Sequence, residues 1–493
     1  MKVAFVSSEV TPFSKTGGLA DVAGSLPKEL KSMGNDVIVF TPKYSTIDKT
    51  KFKLRKDKKI GELNISIGDQ TYTAKIFTAK LPGSAVKVHF VDSPHFFSRD
   101  SFYTNDSDED ERFIFFSKAV IETLKKLNWH PNIIHCNDWH TGLIPALIKE
   151  NYRYDDAFKY TSFVFTIHNL AFQGTFPKES LTKSGLSEDL FFPMGPFEFY
   201  GKMNFLKAGI SYSEVINTVS ETYAKEILTK EFGAGLDDVL LERHEDIHGI
   251  VNGVDYSEWN PAVDDKIPFN YSVGQFSIKE KNKKHLLKQI GLSYKKEIPL
   301  IGFVGRLTEQ KGFDIIAGAM DKLMGLDAQW IFLGNGEEEY EDLLNDVIAK
   351  FPDKVKAIIG FDNDLAHLIE AGSDMFLMPS RFEPCGLNQL YSLKYGTVPI
   401  VRKTGGLANT VSDWIDLVAN DNHSGTGFVF EGYSSNALVE KISDAITLFG
   451  DKKIWKQIQK NGMKQDYSWR VSAEKYVELY NIALKNSNTF RTK

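Results

Sequence analysis

The stretch Lys15-Thr16-Gly17-Gly18-Leu19-Ala20 recurs unchanged as Lys403-Thr404-Gly405-Gly406-Leu407-Ala408, and its two settings decide the reading of the fold. The first copy follows the short aliphatic run Val3 to Val6 and the second follows Val398 to Val401, and each opens an amphipathic stretch. A strand that ends in a glycine turn and leads into a helix is the unit of an open parallel sheet, where ligands gather at the carboxyl ends of the strands. One such unit near each end of the chain implies two sheets. Facing one another, they would build a single cleft from two domains.

Outward from these copies the pattern continues. In the first half, strands are expected at Val3 to Val6, Asp36 to Thr41, Ile133 to Cys136, Phe163 to Thr166 and Val215 to Val219. Helices between them include Leu19 to Met33 and Arg112 to Leu127, the latter with Phe113, Phe116, Val120 and Leu124 on one face. The less regular Phe52 to Val91 should add hairpins at the sheet edge. Near Asn252 to Gln275, Pro261, Pro268 and several Asn and Asp residues mark a connector. A second series follows, with strands at Pro299 to Val304, Gln329 to Leu333, Val355 to Ile359, Met375 to Met378 and Val398 to Val401. A last helix around Val471 to Leu484 should return to the first domain. The expected division is therefore 1–250, 251–466 and a C-terminal segment 467–493.

At 493 residues the chain is too long for one hydrophobic core. With 42% hydrophobic and 25% charged residues it has the composition of a globular protein rather than a disordered or fibrous one. A net charge of -6 argues against nucleic acid as a partner, since binding a phosphate backbone needs a concentrated basic face. Met1 to Val10 reads as a strand rather than a signal peptide, and no apolar run approaches the length of a membrane span. Cys136 and Cys385 are too few for a disulfide framework, which fits a reducing compartment; a cytoplasmic protein is expected, with no membrane partner.

Three chemical needs can be matched to residues if the ligand is a sugar joined to a diphosphate. The leaving charge needs cations, and Arg306 and Lys311 stand in Gly305-Arg306-Leu307-Thr308-Glu309-Gln310-Lys311-Gly312 between a buried strand and a helix. Either alone could be a solvated surface charge; the flanking glycines and the strand-end position favour phosphate. Glycine pairs or single glycines at helix starts, Gly17-Gly18, Gly386-Leu387 and Gly405-Gly406, add unpaired amides that attract anions. For the reacting carbon, Glu383 stands just ahead of a helix start in Ser380-Arg381-Phe382-Glu383-Pro384-Cys385-Gly386-Leu387. Asp138 and His168, each following a strand, could bind sugar hydroxyls while Trp139 offers a flat apolar face.

Other readings of these residues carry less weight. The spacing of His135, Asp138, His140 and His168 matches no zinc motif, so no metal is expected. Asp106 to Glu111 is read as a solvated acidic stretch rather than a cation site. Cys385 has no orienting base in the sequence and is read as a packing residue.

Together the motifs closely resemble the bacterial glycogen synthases and plant starch synthases. The residues that carry the resemblance are Lys15-Thr16-Gly17-Gly18-Leu19-Ala20-Asp21, Asp138-Trp139-His140, Thr166-Ile167-His168-Asn169, Asn252-Gly253-Val254-Asp255, Gly305-Arg306 with Lys311, and Glu383-Pro384-Cys385-Gly386-Leu387. The resemblance implies an α/β chain of GT-B fold, two Rossmann-like doubly wound domains around a deep cleft. It implies a retaining transfer of glucose to the non-reducing end of an α-1,4-glucan, without metal or cofactor. ADP-glucose is favoured over UDP-glucose as donor on this ground alone.

Carried over by position, the resemblance makes Glu383, His168, Asp138, Arg306 and Lys311 the catalytic group. Lys15, Gly18 and Asp21 would belong to the donor loop, Asn252 would stand by the glucose and Phe361 by the nucleotide base. The expected donor set also includes Cys385, Gly386 and Leu387 with Thr404, Gly405 and Gly406. At one position the chain departs from related retaining enzymes: a second glutamate that reaches the ribose is replaced by Tyr391. The rival readings are a retaining transferase with another nucleotide-sugar donor and a noncatalytic glucan-binding protein on the same fold.

Overall fold

The computed structural model describes residues 1–491; residues 492 and 493, the end of the expected segment 467–493, lie outside the described residues. The chain divides into two units. The first comprises Met1–Val219, Ala224–Gly253 and the chain from Trp469 onward; the second comprises Ser220–Tyr223 and Val254–Ser468.

The first unit holds thirteen strands: β1 (Lys2–Val6), β2 (Asp36–Pro42), β3 (Arg55–Lys56), β4 (Glu62–Ile67), β5 (Gln70–Lys80), β6 (Lys87–Asp92), β7 (Ile133–Asn137), β8 (Ser162–Ile167), β9 (Thr175–Phe176), β10 (Glu198–Phe199), β11 (Lys202–Asn204), β12 (Val215–Thr218) and β13 (Ile247–Gly249). Ten of them form one sheet in the order β13-β12-β8-β7-β1-β2-β6-β5-β3, with β4 beside β5. From β13 to β6 all neighbours are parallel, while β5 runs against β6 and against β3 and β4. Val3 to Val6 are fully buried, as strands covered on both faces by helices must be. The helix Gly18–Ser32 turns Leu19, Val22, Ala23, Leu26 and Leu30 inward at helical spacing.

The expected hairpins between Phe52 and Val91 are β3, β4 and β5, whereas β6 joins the parallel set. The helix Trp469–Arg491 is long and belongs to this unit. Its Tyr480 hydroxyl lies 2.8 Å from His135 Nδ1, and its Tyr476 hydroxyl accepts from Asn217 Nδ2 at 3.0 Å. His135 in β7 meets Thr166 Oγ1 with its other nitrogen at 2.7 Å, and burial pushes its pKa down to about 3, so the ring is neutral.

The solvated reading of Asp106 to Glu111 holds for the exposed Asp106 and Ser107 and is corrected at Glu109 and Asp110. The helix starts at Glu109, three residues earlier than expected, and Glu109 and Asp110 are buried. Arg112 Nη1 holds Glu109 Oε2 at 2.6 Å; Ser180 Oγ and Lys183 Nζ hold Asp110 Oδ2 at 2.7 and 3.1 Å. Arg99 pairs with Asp106 and Asp108. Buried carboxylates persist only with such partners; that of Glu109 lies three residues on in the same helix, and those of Asp110 come from distant sequence.

The second unit holds β14 (Leu300–Val304), β15 (Gln329–Gly334), β16 (Val355–Ile359), β17 (Met375–Met378), β18 (Val398–Arg402) and β19 (Phe428–Phe430), all parallel, in the order β16-β15-β14-β17-β18-β19. Side chains alternate between two cores: Ile301, Phe303, Trp330 and Phe332 pack on one face, Leu300, Ile331, Leu333 and Phe376 on the other. Burying each such side chain stabilises by roughly 1.5–3 kcal/mol.

In both units the strand order reverses beside the first strand. It does so between β1 and β7 in one and between β14 and β17 in the other. An open sheet leaves a crevice at that point, where the helices on either side diverge to opposite faces.

Candidate functional site

In the second unit the residues singled out from sequence gather at the carboxyl ends of strands flanking the reversal. Arg306 and Lys311 occupy the loop after β14, and Glu383 the loop after β17. Lys311 Nζ donates to Glu383 Oε2 at 2.6 Å, and Ser380 Oγ donates to the same oxygen at 3.0 Å. Glu383 is only 6% exposed, so its charge is held by these two donors. Arg306 is exposed, with Nη2 donating to Gln310 Oε1 at 2.8 Å. One cation is thus paired with the carboxylate, and the other stands at the surface of the same loop.

Close backbone approach shapes this loop. A Cβ on Gly312, where φ is 77°, would lie 2.2 Å from the Pro379 carbonyl oxygen. Cβ atoms on Gly334 and Gly336 would lie 1.8 Å from Gly305 O and 2.1 Å from Leu307 O. Leu307 N also donates to Asn335 O at 2.9 Å. The Gly334-Asn335-Gly336 turn therefore supports the cationic loop. It was not singled out from sequence, although two glycines after a buried strand are a usable signal.

The second copy of the repeat, after β18, braces the Glu383 turn. Gly405 (φ 44°) and Gly406 press on it so closely that their Cβ atoms would lie 1.9 Å from Glu383 O and 2.0 Å from Cys385 O. Gly406 N donates to Glu383 O at 3.0 Å, and Thr404 is buried beside it. Cys385 is buried, and its carbonyl accepts from Gln389 Nε2 at 3.0 Å. Gly386, with φ 73°, and Leu387 lead into the helix Asn388–Tyr395.

Phe361, just beyond the end of β16, is 88% exposed, an apolar ring facing water. Tyr391 points elsewhere, stacking flat on Trp259 at 3.9 Å inside the unit.

In the first unit, Lys15 Nζ pairs with Asp21 Oδ1 at 2.7 Å, and Gly18 opens the helix Gly18–Ser32. The buried Glu9, not singled out from sequence, organises this loop. Its carboxylate accepts from the Thr16 amide and hydroxyl, from the Gly17 amide at 3.3 Å and from the Tyr103 hydroxyl at 2.6 Å.

Across the strand reversal, Asp138 follows β7 with φ 55° and ψ 177°, a conformation that essentially only glycine adopts without strain. Its Oδ1 accepts from the His168 amide at 2.7 Å, and the Asn169 amide also donates to the carboxylate. Burial outweighs these donors and pushes the Asp138 carboxyl up to about 7. Burial likewise lowers His168 to about 3, leaving a neutral ring whose Nε2 lies 3.0 Å from Asn137 Oδ1. Asn252 is buried in this unit and its Oδ1 has no hydrogen-bond partner.

The flat face expected from Trp139 is corrected. The indole is 8% exposed, stacked on His140 at 3.9 Å with Phe113 edge-on at 4.8 Å, and Gly174 lies against it. It is a floor under Gly174 and Phe176. Among the described residues no group of three or more His, Cys, Asp or Glu side chains could hold a metal ion. No helix among them is long and apolar enough to cross a membrane.

Comparison with known proteins finds relatives along the whole chain. Residues 2–242 match the starch synthase catalytic domain family, and residues 266–465 match the glycosyl transferases group 1 family. A glycogen synthase of Geotalea daltonii is 46% identical over 98% of this chain and 99% of its own. The glycogen synthase of Thermotoga maritima is also 46% identical, with the same coverage. The catalytic domain of starch synthase IV from Arabidopsis thaliana, solved bound to ADP and acarbose, superposes with a TM-score of 0.90 at 33% identity, covering 98% of this chain and 99% of that one. Sucrose-phosphate synthase from Thermosynechococcus elongatus shares the fold at a TM-score of 0.57 and 16% identity, covering 100% of both chains. With its two doubly wound units, each reversing its strand order beside its first strand, the chain is a GT-B hexosyltransferase and belongs to the glycogen synthase and starch synthase family.

Proposed function

We propose that this chain transfers glucose from ADP-glucose to the non-reducing end of an α-1,4-glucan with retention of configuration, in the cytoplasm. The family implies a nucleotide-sugar donor and a glucan acceptor. The observation that carries the reaction is the Lys311–Glu383 pair, which sets a phosphate-seeking cation and a buried carboxylate 2.6 Å apart at the ends of the neighbouring strands β14 and β17. ADP as the nucleotide is supported by the Arabidopsis starch synthase solved with ADP, and the exposed Phe361 ring is suited to stacking on a base. Two buried cysteines that form no disulfide among the described residues support a reducing compartment.

In this reading the bond from the glucose C1 to the diphosphate oxygen breaks first. Arg306 and Lys311, with the glycine amides of the donor loops, stabilise the departing charge. As Lys311 turns to the phosphate, Glu383 is left facing the cation-like carbon and stabilises it without forming a bond. The acceptor 4-hydroxyl attacks C1 from the face the diphosphate is leaving, and its proton passes to the departing phosphate oxygen. The neutral His168, Asp138 and Asn252 hold sugar hydroxyls, and Lys15 and Asp21 shape the donor loop. An assay offering ADP-glucose and UDP-glucose separately with glycogen should show transfer chiefly from ADP-glucose. Faster transfer from UDP-glucose would overturn the donor assignment, and none from either would overturn the activity.

A further inference from the structure

The chain passes between the two units four times: Ser220–Tyr223 and Val254–Ser468 belong to the second unit, and the residues before and after each belong to the first. Inside the second unit, residues at these passages converge on the short helix Gly405–Thr410 and on the turn that it braces. Ser220, fully buried, donates its hydroxyl hydrogen at 2.6 Å to the carbonyl of Pro384, one residue past Glu383. The same Oγ accepts from the Tyr223 amide at 3.1 Å, the bond of a helix cap, and the helix Glu221–Glu226 starts there. The Thr222 amide donates to Asn409 Oδ1 at 2.8 Å. At the later passages, the Val254 amide donates to Tyr467 O at 2.7 Å and the Tyr467 amide to the Tyr256 hydroxyl at 3.0 Å. The Tyr467 hydroxyl in turn donates at 3.1 Å to the carbonyl of Thr410, the last residue of the helix.

A helix cap needs only a lone pair on the serine oxygen, so the bond to Pro384 is a second task for the same hydroxyl. Gly406 N also reaches the Pro384 carbonyl, at 3.2 Å, so that oxygen has one donor from the second repeat copy and one from the passage. A peptide unit is planar and trans, and fixing the Pro384 carbonyl therefore fixes the Cys385 N–H in the opposite direction. The preceding carbonyl, that of Glu383, is held by Gly406 N at 3.0 Å. Two successive peptide planes are thus set, the first belonging to the buried carboxylate and the second opening the Cys385-Gly386-Leu387 run.

We propose that Ser220 is a positioning residue for glucosyl transfer: its bond to Pro384 holds the Glu383 turn and the backbone of Cys385 to Leu387 in register, while Asn409 and Tyr467 steady the helix behind them. This rests on the transfer reaction of the preceding reading. The test is Ser220→Gly in the full chain, because glycine caps a helix nearly as well as serine but offers Pro384 no donor. With ADP-glucose and glycogen, kcat should fall about tenfold while KM for glycogen stays within about twofold and Tm moves little. Ser220→Thr, which keeps the hydroxyl, should return kcat to within about twofold of the parent. Tyr467→Phe, which loses one half-buried hydroxyl, should lower kcat about threefold and carries the same test should Ser220→Gly not fold. Unchanged kcat in the Gly variant, or an equal loss in the Thr variant, refutes the positioning role. Amide hydrogen exchange over residues 380–390 should also quicken about fivefold in Ser220→Gly at unchanged global stability. Exchange needs no substrate, so an unaltered rate there sinks the proposal even for a chain that transfers no glucose.

Discussion

The two copies of Lys-Thr-Gly-Gly-Leu-Ala share every residue and almost nothing of their surroundings. In the first, Lys15 through Gly18 are exposed, and a Cβ on Gly17 would meet nothing within 4 Å. The copy lies nine residues beyond β1 and opens a 15-residue helix. In the second, Thr404 to Gly406 are buried immediately after β18, the helix Gly405–Thr410 is six residues long, and both glycines press on the turn that carries Glu383. The same glycines thus leave room for a ligand in one unit and for the protein's own backbone in the other. Identity of sequence preserved the strand, turn and helix order, while burial decided what the turn is for.

Substituting these positions breaks the comparison in opposite ways. Gly405→Ala should be the most damaging, because its Cβ meets a backbone oxygen and its φ is positive; a loss of about 3 kcal/mol or more in denaturant unfolding is expected, with activity lost as well. Lys311→Ala sharpens the contrast by removing the partner of the braced carboxylate without touching the brace. It should lower kcat about 10²-fold in the glucosyl transfer assay with the fold intact, and near-normal turnover would refute the role assigned to the pair.

Asp138 gives a smaller, pH-dependent effect. Its carboxyl keeps a proton up to about 7 in the folded chain but ionises near 3.8 when unfolded, so stability falls as pH rises from about 4 to about 7 and then levels. Asp138→Asn cannot ionise and should flatten that fall by a few degrees in Tm, on the order of 1–2 kcal/mol, measured between pH 5 and 8. Smallest is Gly17→Ala, in extended backbone with open space around it. Thermal unfolding should shift by about 0.4–1 kcal/mol towards greater stability, and a larger loss would dissolve the contrast between the two copies.

Strands β1, β7 and β14 were legible because each holds a short, mostly apolar run followed by a turn. Strands β9, β10, β11 and β19, of two or three residues, carry no periodicity and escaped. The strand-end placement of Arg306, Lys311 and Glu383 was legible because glycines mark the turns there. Glu9 escaped because its role depends on folding back onto the Thr16 and Gly17 amides, which spacing alone does not reveal. Burial of Asp110 was misread for the same reason, since Ser180 and Lys183 reach it through tertiary position, whereas the partner of Glu109, Arg112, stands three residues on in the same helix. Trp139 was taken for a sugar platform because aromatic chemistry is visible in sequence, whereas the rings that cover it are not.

The C-terminal helix has a consequence for biosynthesis. Tyr476 and Tyr480 supply hydroxyl partners to Asn217 and His135, which were translated hundreds of residues earlier. While the ribosome is still working through the second unit, those polar groups in the nascent sheet wait without their native partners. A message truncated near codon 468 would therefore release a chain whose earlier half is lastingly short of its final stitches, prey to chaperones and proteases even with all the donor-binding residues already in place.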